Sequence, residues 1–273
     1  MLHLPKSLIL ATLLTAGLPL RLAAEESSDP EALALAQSIA GRPANEGRVG
    51  TMHFELRNSA GDTRERKALM LHADTPETIR IAIYFTEPAM ISDTAFLSFD
   101  HRSREDENWL YLPATERVRR LPVSDRGDYF MGTDLTYGDI KDDFKFGLED
   151  WVFTRVQDEV VDSRRLLRLE GRARSPQITA ETGYSAFSAL VDPERRFPVD
   201  VTYRDADGDT LKHVVVEELD TVGGAWTAMR FTVDHLQTGH RTHIRFTDMQ
   251  HRPDLDDGVF DADALAFGLP YLD

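Results

Sequence analysis

The chain has 273 residues, no cysteine and a formal net charge of −16 at pH 7. So acidic a surface disfavours nucleic-acid binding, which needs basic groups to neutralise phosphates, and disfavours residence on an anionic membrane. Without cysteine there is no disulfide framework, no thiol catalysis and no acylated N-terminal cysteine, so stability must come from a packed core.

The first 24 residues read as a secretory signal peptide. Lys6 supplies the positive end, Ser7 to Leu20 an apolar run, and Leu22-Ala23-Ala24 a small-residue cleavage site before Glu25. A membrane anchor is the competing reading. It needs about 20 apolar residues, and Pro19 and Arg21 cut this run short. The remainder, residues 25–273, reads as one domain, since no linker, composition shift or repeat divides it.

One short helix opens that domain. Ser28, Asp29 and Pro30 form a start signal, with Glu31 three residues after Ser28 as in a capping box. Leu33, Leu35, Ala36, Ile39 and Ala40 supply an apolar surface, and Gly41 with Pro43 ends it.

Alternation with period two then takes over. Met52, Phe54 and Leu56 oppose His53, Glu55 and Arg57. Ile79, Ile81, Ile83 and Phe85 oppose Arg80, Ala82, Tyr84 and Thr86, and Ala95, Leu97 and Phe99 repeat the theme. Met229, Phe231 and Val233, then Ile244 and Phe246, do the same near the end. Such runs predict antiparallel strands with one dry and one wet face. Asn58 to Asp62, Asp205 to Asp209 and Gly223-Gly224 read as hairpin turns. The expectation is a mainly β fold of about 11–13 strands in a strongly curved sheet. One short helix is too little to cover its apolar face, so the sheet either closes on itself or leaves an apolar cavity.

The most specific stretch is Trp109 to Asp139. Leu110 and Leu112 alternate with Trp109 and Tyr111, Pro113 ends the strand, and Ala114-Thr115-Glu116 turns the chain. Arg117 and Arg119 share a face opposite Val118, whereas Arg120 points with Val118, toward the interior or a rim. Phe130-Met131-Gly132-Thr133-Asp134 and Leu135-Thr136-Tyr137-Gly138-Asp139 follow. No nucleophile elbow, metal box or phosphate-cradling loop lies in it.

This run, WLYLP…RVRRL…SD…FMGTDLTYGDI, resembles the outer-membrane lipoprotein-sorting protein family, the LolA-like group. Arg57 to Gly61 with Arg64-Glu65-Arg66, Phe85 to Pro88, Thr94 to Ser98, Gln237 to Thr242 and Asp257 to Phe260 extend the resemblance from about Arg48 to Phe260. It implies a half-open antiparallel β-barrel with a helical and loop lid over an apolar concave face. It also implies a periplasmic, non-enzymatic carrier of lipid or acylated lipoprotein cargo, cleaved near Ala24 and working with an inner-membrane RND-type transporter. A periplasmic transporter adaptor that binds no lipid is the alternative. Neither reading calls for a cofactor. The resemblance marks Trp109, Tyr111, Arg117, Arg119, Arg120, Phe130, Met131 and Tyr137 as candidate ligand-binding residues. For the arginines a solvated strand edge is the competing reading, and for the aromatic residues plain core packing.

Sharper chemistry finds less support. His240 and His243 point to opposite faces of a strand and cannot share an ion without a bulge. Asp205-x-Asp207-Gly208-Asp209 begins like a calcium loop, but the twelfth position is Val216 instead of glutamate. Asp139, Asp142 and Asp143 form an acidic cluster of the kind expected in so acidic a chain, without evidence of a shared cleft.

Overall fold

The computed structural model describes residues 27–43 and 46–272, so the signal segment and its cleavage site lie outside it. Helix α1 (Pro30–Ala40) is followed by strands β1 (Gly47–Arg57), β2 (Thr63–Asp74), β3 (Thr78–Glu87), β4 (Ala95–His101), β5 (Glu107–Leu112) and β6 (Arg117–Leu121). A long connection carries helix α2 (Tyr137–Asp142). Then come β7 (Trp151–Val161), β8 (Arg164–Ala173), helix α3 (Pro176–Thr182), β9 (Ala186–Asp192), β10 (Phe197–Arg204), β11 (Thr210–Val222), β12 (Ala225–His235) and β13 (His240–His251).

Among the described residues, all 13 strands form a single antiparallel sheet in the order β6-β5-β4-β3-β2-β1-β13-β12-β11-β10-β9-β8-β7. The chain runs outward from the middle through β1–β6, then returns inward through β7–β13 until β13 pairs with β1. Strands β6 and β7 are therefore opposite edges of an open sheet, and the connection between them, residues 122–150, has to cross its whole width. Helix α2 touches both wings: Lys141 pairs with Asp106 beside β5, and Asp139 pairs with Lys212 on β11. Two wings meeting one short helix make the covered face concave.

The predicted hairpins at Asn58, Asp205 and Gly223 join β1–β2, β10–β11 and β11–β12. At the second, the Asp205 carboxylate accepts from the backbone N–H groups of Asp207 and Asp209, which is Asx-turn chemistry.

Helix α1 starts differently from its sequence signal. Asp29 is the cap, its Oδ1 accepting from Glu31 and Ala32 N–H at 3.0 and 2.9 Å. Ser28 instead accepts from Phe153 N–H, docking the helix on β7. Asp29 reaches two amides where a Ser28 box reaches one, and that frees Ser28 for the sheet. Ala32, Ala36 and Ile39 are buried in the concave-side core.

The wet and dry faces assigned to β3 and β4 also need correction. Ile81, Ile83, Phe85 and Phe96 lie in the concave-side core, but Ala82, Tyr84, Ala95 and Leu97 are equally buried in a second cluster on the convex side. The C-terminal segment covers that side with Phe260 and Leu265. Strands buried on both faces read as nearly continuous apolar runs, which is the pattern of Ile79 to Phe85.

Candidate ligand-binding face

The crossover of residues 122–150 lies over the concave face as a polypeptide lid. Phe130 is fully buried and packs on Phe85 and Phe96, with Tyr137 edge-on to it. Farther along, Phe144 meets Phe231 and Phe197, and Phe146 stacks on Phe187 at 4.2 Å between ring centres. These rings bury large apolar areas and favour offset or edge contacts.

The crossover makes few backbone bonds to the sheet, and polar side chains tie it down instead. The Tyr129 hydroxyl lies 2.9 Å from His235 Nε2, and Asp134 Oδ2 lies 2.6 Å from His240 Nδ1 and accepts from Thr242 Oγ1. His235 and His240 thus bind crossover residues from the β12–β13 hairpin, whereas His243 faces Thr232 and Glu217. Arg66 donates to the Met131 carbonyl. Thr136 and Asp139 form the reciprocal capping box that starts α2. The same Asp139 carboxylate accepts from the Tyr184 hydroxyl and from the fully buried Lys212 ammonium.

Between crossover and sheet lies a cavity of about 80 Å³. Met52, Met70, Ile81, Ile83, Val214, Phe231 and Phe246 line its sheet side, and Leu135, Ile140, Phe144 and Phe146 its crossover side. One end is polar. Arg48 and His72 are cross-strand partners on β1 and β2, both buried. Arg48 donates to Thr227 Oγ1 and pairs with Asp143 Oδ1 at 3.1 Å. Arg42 donates to the backbone carbonyls of Asp143 and Phe144. Burial, then the nearby Arg48 charge, pushes the His72 imidazole down to about 3, so it is neutral. Burial opposes ionisation of Asp143, but the Arg48 and Arg42 guanidinium groups outweigh it and hold its carboxyl well below the usual range. Burial lowers the Lys145 ammonium as well.

None of the eight residues marked by the sequence lines this cavity. Phe130 is core, and Tyr137 packs against Phe96 and Phe130. Met131 is partly buried, with φ at 48°. Trp109 and Tyr111 belong to the convex cluster under the C-terminal segment. Arg120 is on that side too, opposite Trp109 and paired with Glu107. Arg117 and Arg119 face the concave side, opposite Leu112 and Leu110, and line an open groove of about 470 Å³ at the sheet edge. The buried polar residues of the concave side carried one usable sequence signal. Arg48, His72 and Lys212 each stand at an inward position of an otherwise apolar face, His72 in step with Ala68 and Met70, and Lys212 with Val214.

Among the described residues, no helix is long and apolar enough to cross a membrane. A family model described as an uncharacterized protein matches residues 78–266. Among solved structures, a domain from Vibrio parahaemolyticus named for outer membrane lipoprotein sorting is similar. It is 24% identical with a TM-score of 0.77, covering 86% of this chain and 97% of that one. A DUF1329 family protein from Desulfovibrio piger is 21% identical with a TM-score of 0.78, covering 88% and 100%. A LolA superfamily protein from Nitrosomonas europaea is 20% identical with a TM-score of 0.63, covering 87% and 99%. At such identities the likeness concerns the fold. No curated protein matches the chain.

Proposed function

The chain belongs to the uncharacterized-protein family whose model spans residues 78–266, and from that membership and its LolA-like fold we propose that it is a carrier of acyl chains. It binds the chains of a lipid or lipoprotein on its concave face and moves them through the periplasm, without catalysis, in concert with an inner-membrane RND-type transporter. The observation that carries this reading is the covering of that face. An apolar wall built from both wings of the sheet is covered by a crossover that packs aromatic side chains on it and is tied down by polar side chains instead of a backbone ladder.

The cavity sets the mechanism. A space of roughly 150 Å³ holds one benzene, so about 80 Å³ does not admit an acyl chain. The chain has to take the place of Phe144, Ile140 and their neighbours on the sheet. Each methylene buried contributes about 0.8 kcal/mol, so ten contribute roughly 8 kcal/mol before the cost of moving the crossover. The crossover's own apolar contacts offset part of this, which lets cargo pass on to a better acceptor. In this reading Arg117 and Arg119, which line the open groove at the sheet edge, meet a cargo headgroup or a partner surface.

An anthroyloxy-labelled fatty acid titrated into the protein should bind saturably and be displaced by unlabelled fatty acid. The carrier reading fails if no saturable binding occurs. The adaptor reading has its own support: the cavity is small. An adaptor would leave the probe free.

A further inference from the structure

The polar end of the cavity holds more cation than its neighbours neutralise. Arg42, Arg48 and Lys145 gather there around one engaged carboxylate, that of Asp143. Asp74 and Asp142 also border the space; Asp74 is bound by Arg102, and burial pushes the Asp142 carboxyl up to about 7, so it is only partly ionised at neutral pH. Among the described residues no carboxylate pairs directly with Arg42 or Lys145. Two buried polar atoms there, Arg48 Nε and His72 Nδ1, make no hydrogen bond. Unbonded polar groups in an interior cost stability, and these stand side by side on adjacent strands. The same space continues into the apolar wall of Met52, Met70, Ile83 and Phe231.

Resting on the carrier reading above, we propose that this end is a headgroup site for an anionic amphiphile. The carboxylate or phosphate oxygens bind Arg48, His72 and Lys145, and the hydrocarbon chain runs along the apolar wall. The juxtaposition of surplus cation and hydrocarbon in one enclosed space selects for a molecule with both parts.

Asp143 is the internal occupant that such a headgroup displaces. It presents a carboxylate to Arg48 from a left-handed backbone, φ 45°, followed by Phe144 at φ 58°. Two consecutive non-glycine residues in that region are strained. Exchange of an external anion for Asp143 releases the strain and loosens the crossover stretch that Arg42 holds by its carbonyls. Headgroup binding and uncovering of the wall are then one event.

Calorimetric titration of the full exported chain with lauric acid, dodecyl phosphate, methyl laurate and inorganic phosphate tests this. At least one anionic amphiphile should bind about tenfold or more tighter than the neutral ester. The tighter of the two anions identifies the headgroup as carboxylate or phosphate. In Lys145→Gln, at a half-buried position without an ion pair to lose, and in Arg48→Gln, that preference should shrink to about twofold. Binding of both anionic amphiphiles no tighter than the ester, a preference surviving in both variants, or equally tight binding of inorganic phosphate overturns the headgroup site while leaving the carrier reading intact. Failure of every amphiphile to bind overturns the carrier reading and this inference with it.

Discussion

Lys212 is fully buried on β11, and its ammonium donates to Asp139 and to the Tyr184 hydroxyl. Removing one partner of a buried pair leaves the other uncompensated, a loss of about 3–5 kcal/mol. Lys212→Met should therefore lower the urea midpoint sharply, and adding Asp139→Asn should recover much of the loss; equal midpoints for the single and double variants would break the argument. His72 makes a pH prediction. Its folded value is about 3 against 6.5 when free, so between those values the unfolded chain binds the extra proton. Its contribution to stability is therefore full above about pH 6.5 and lost progressively as pH falls toward about 3. Carboxylates titrate mostly below that upper window, so the decline from about pH 7 to about pH 5 should be shallower in His72→Gln than in the parent. An unchanged slope in urea-unfolding series would show that His72 does not set it.

At the scale of elements, strands and hairpins were legible because period-two alternation and turn residues are local signals. The turn at Asp205 and the strand at Met52 are examples. What covers each face was not legible, because it depends on partners distant in sequence. Tyr84 looks like the outward residue of an alternating strand, yet it is 2% exposed because Phe260 and Leu265 return to cover it. For the same reason the Trp109–Tyr111 aromatic face, read as a candidate wall for ligand, lies on the opposite side of the sheet from the cavity. Phe260→Ala should cost about 3–5 kcal/mol, read as a drop in urea midpoint; a cost under about 0.5 kcal/mol would mean that the tail covers nothing of consequence. The crossover differs from the sheet in being held by side chains. Its amides at residues 137–145 should exchange with deuterium well before those of β1 and β13, which are paired on both sides. Equal protection would mean that the lid opens only when the whole domain unfolds.

At the scale of the molecule, one topological fact organises the rest. A sheet that starts in its middle, runs out to one edge and resumes at the other needs a connection across its face. In this chain that connection fills the concavity with its own aromatic side chains, leaving about 80 Å³ and a cationic end. A permanently open groove would expose a large apolar surface to water; a self-covered one stays closed until cargo competes for it. The central claim, that acyl chains take the crossover's place, is tested most directly by native mass spectrometry of the protein purified from its own cell envelope. The account predicts species heavier than the bare chain by the mass of a lipid or an acylated polypeptide, which collapse to the bare mass on activation. The bare chain alone, in protein taken directly from the envelope, would contradict it.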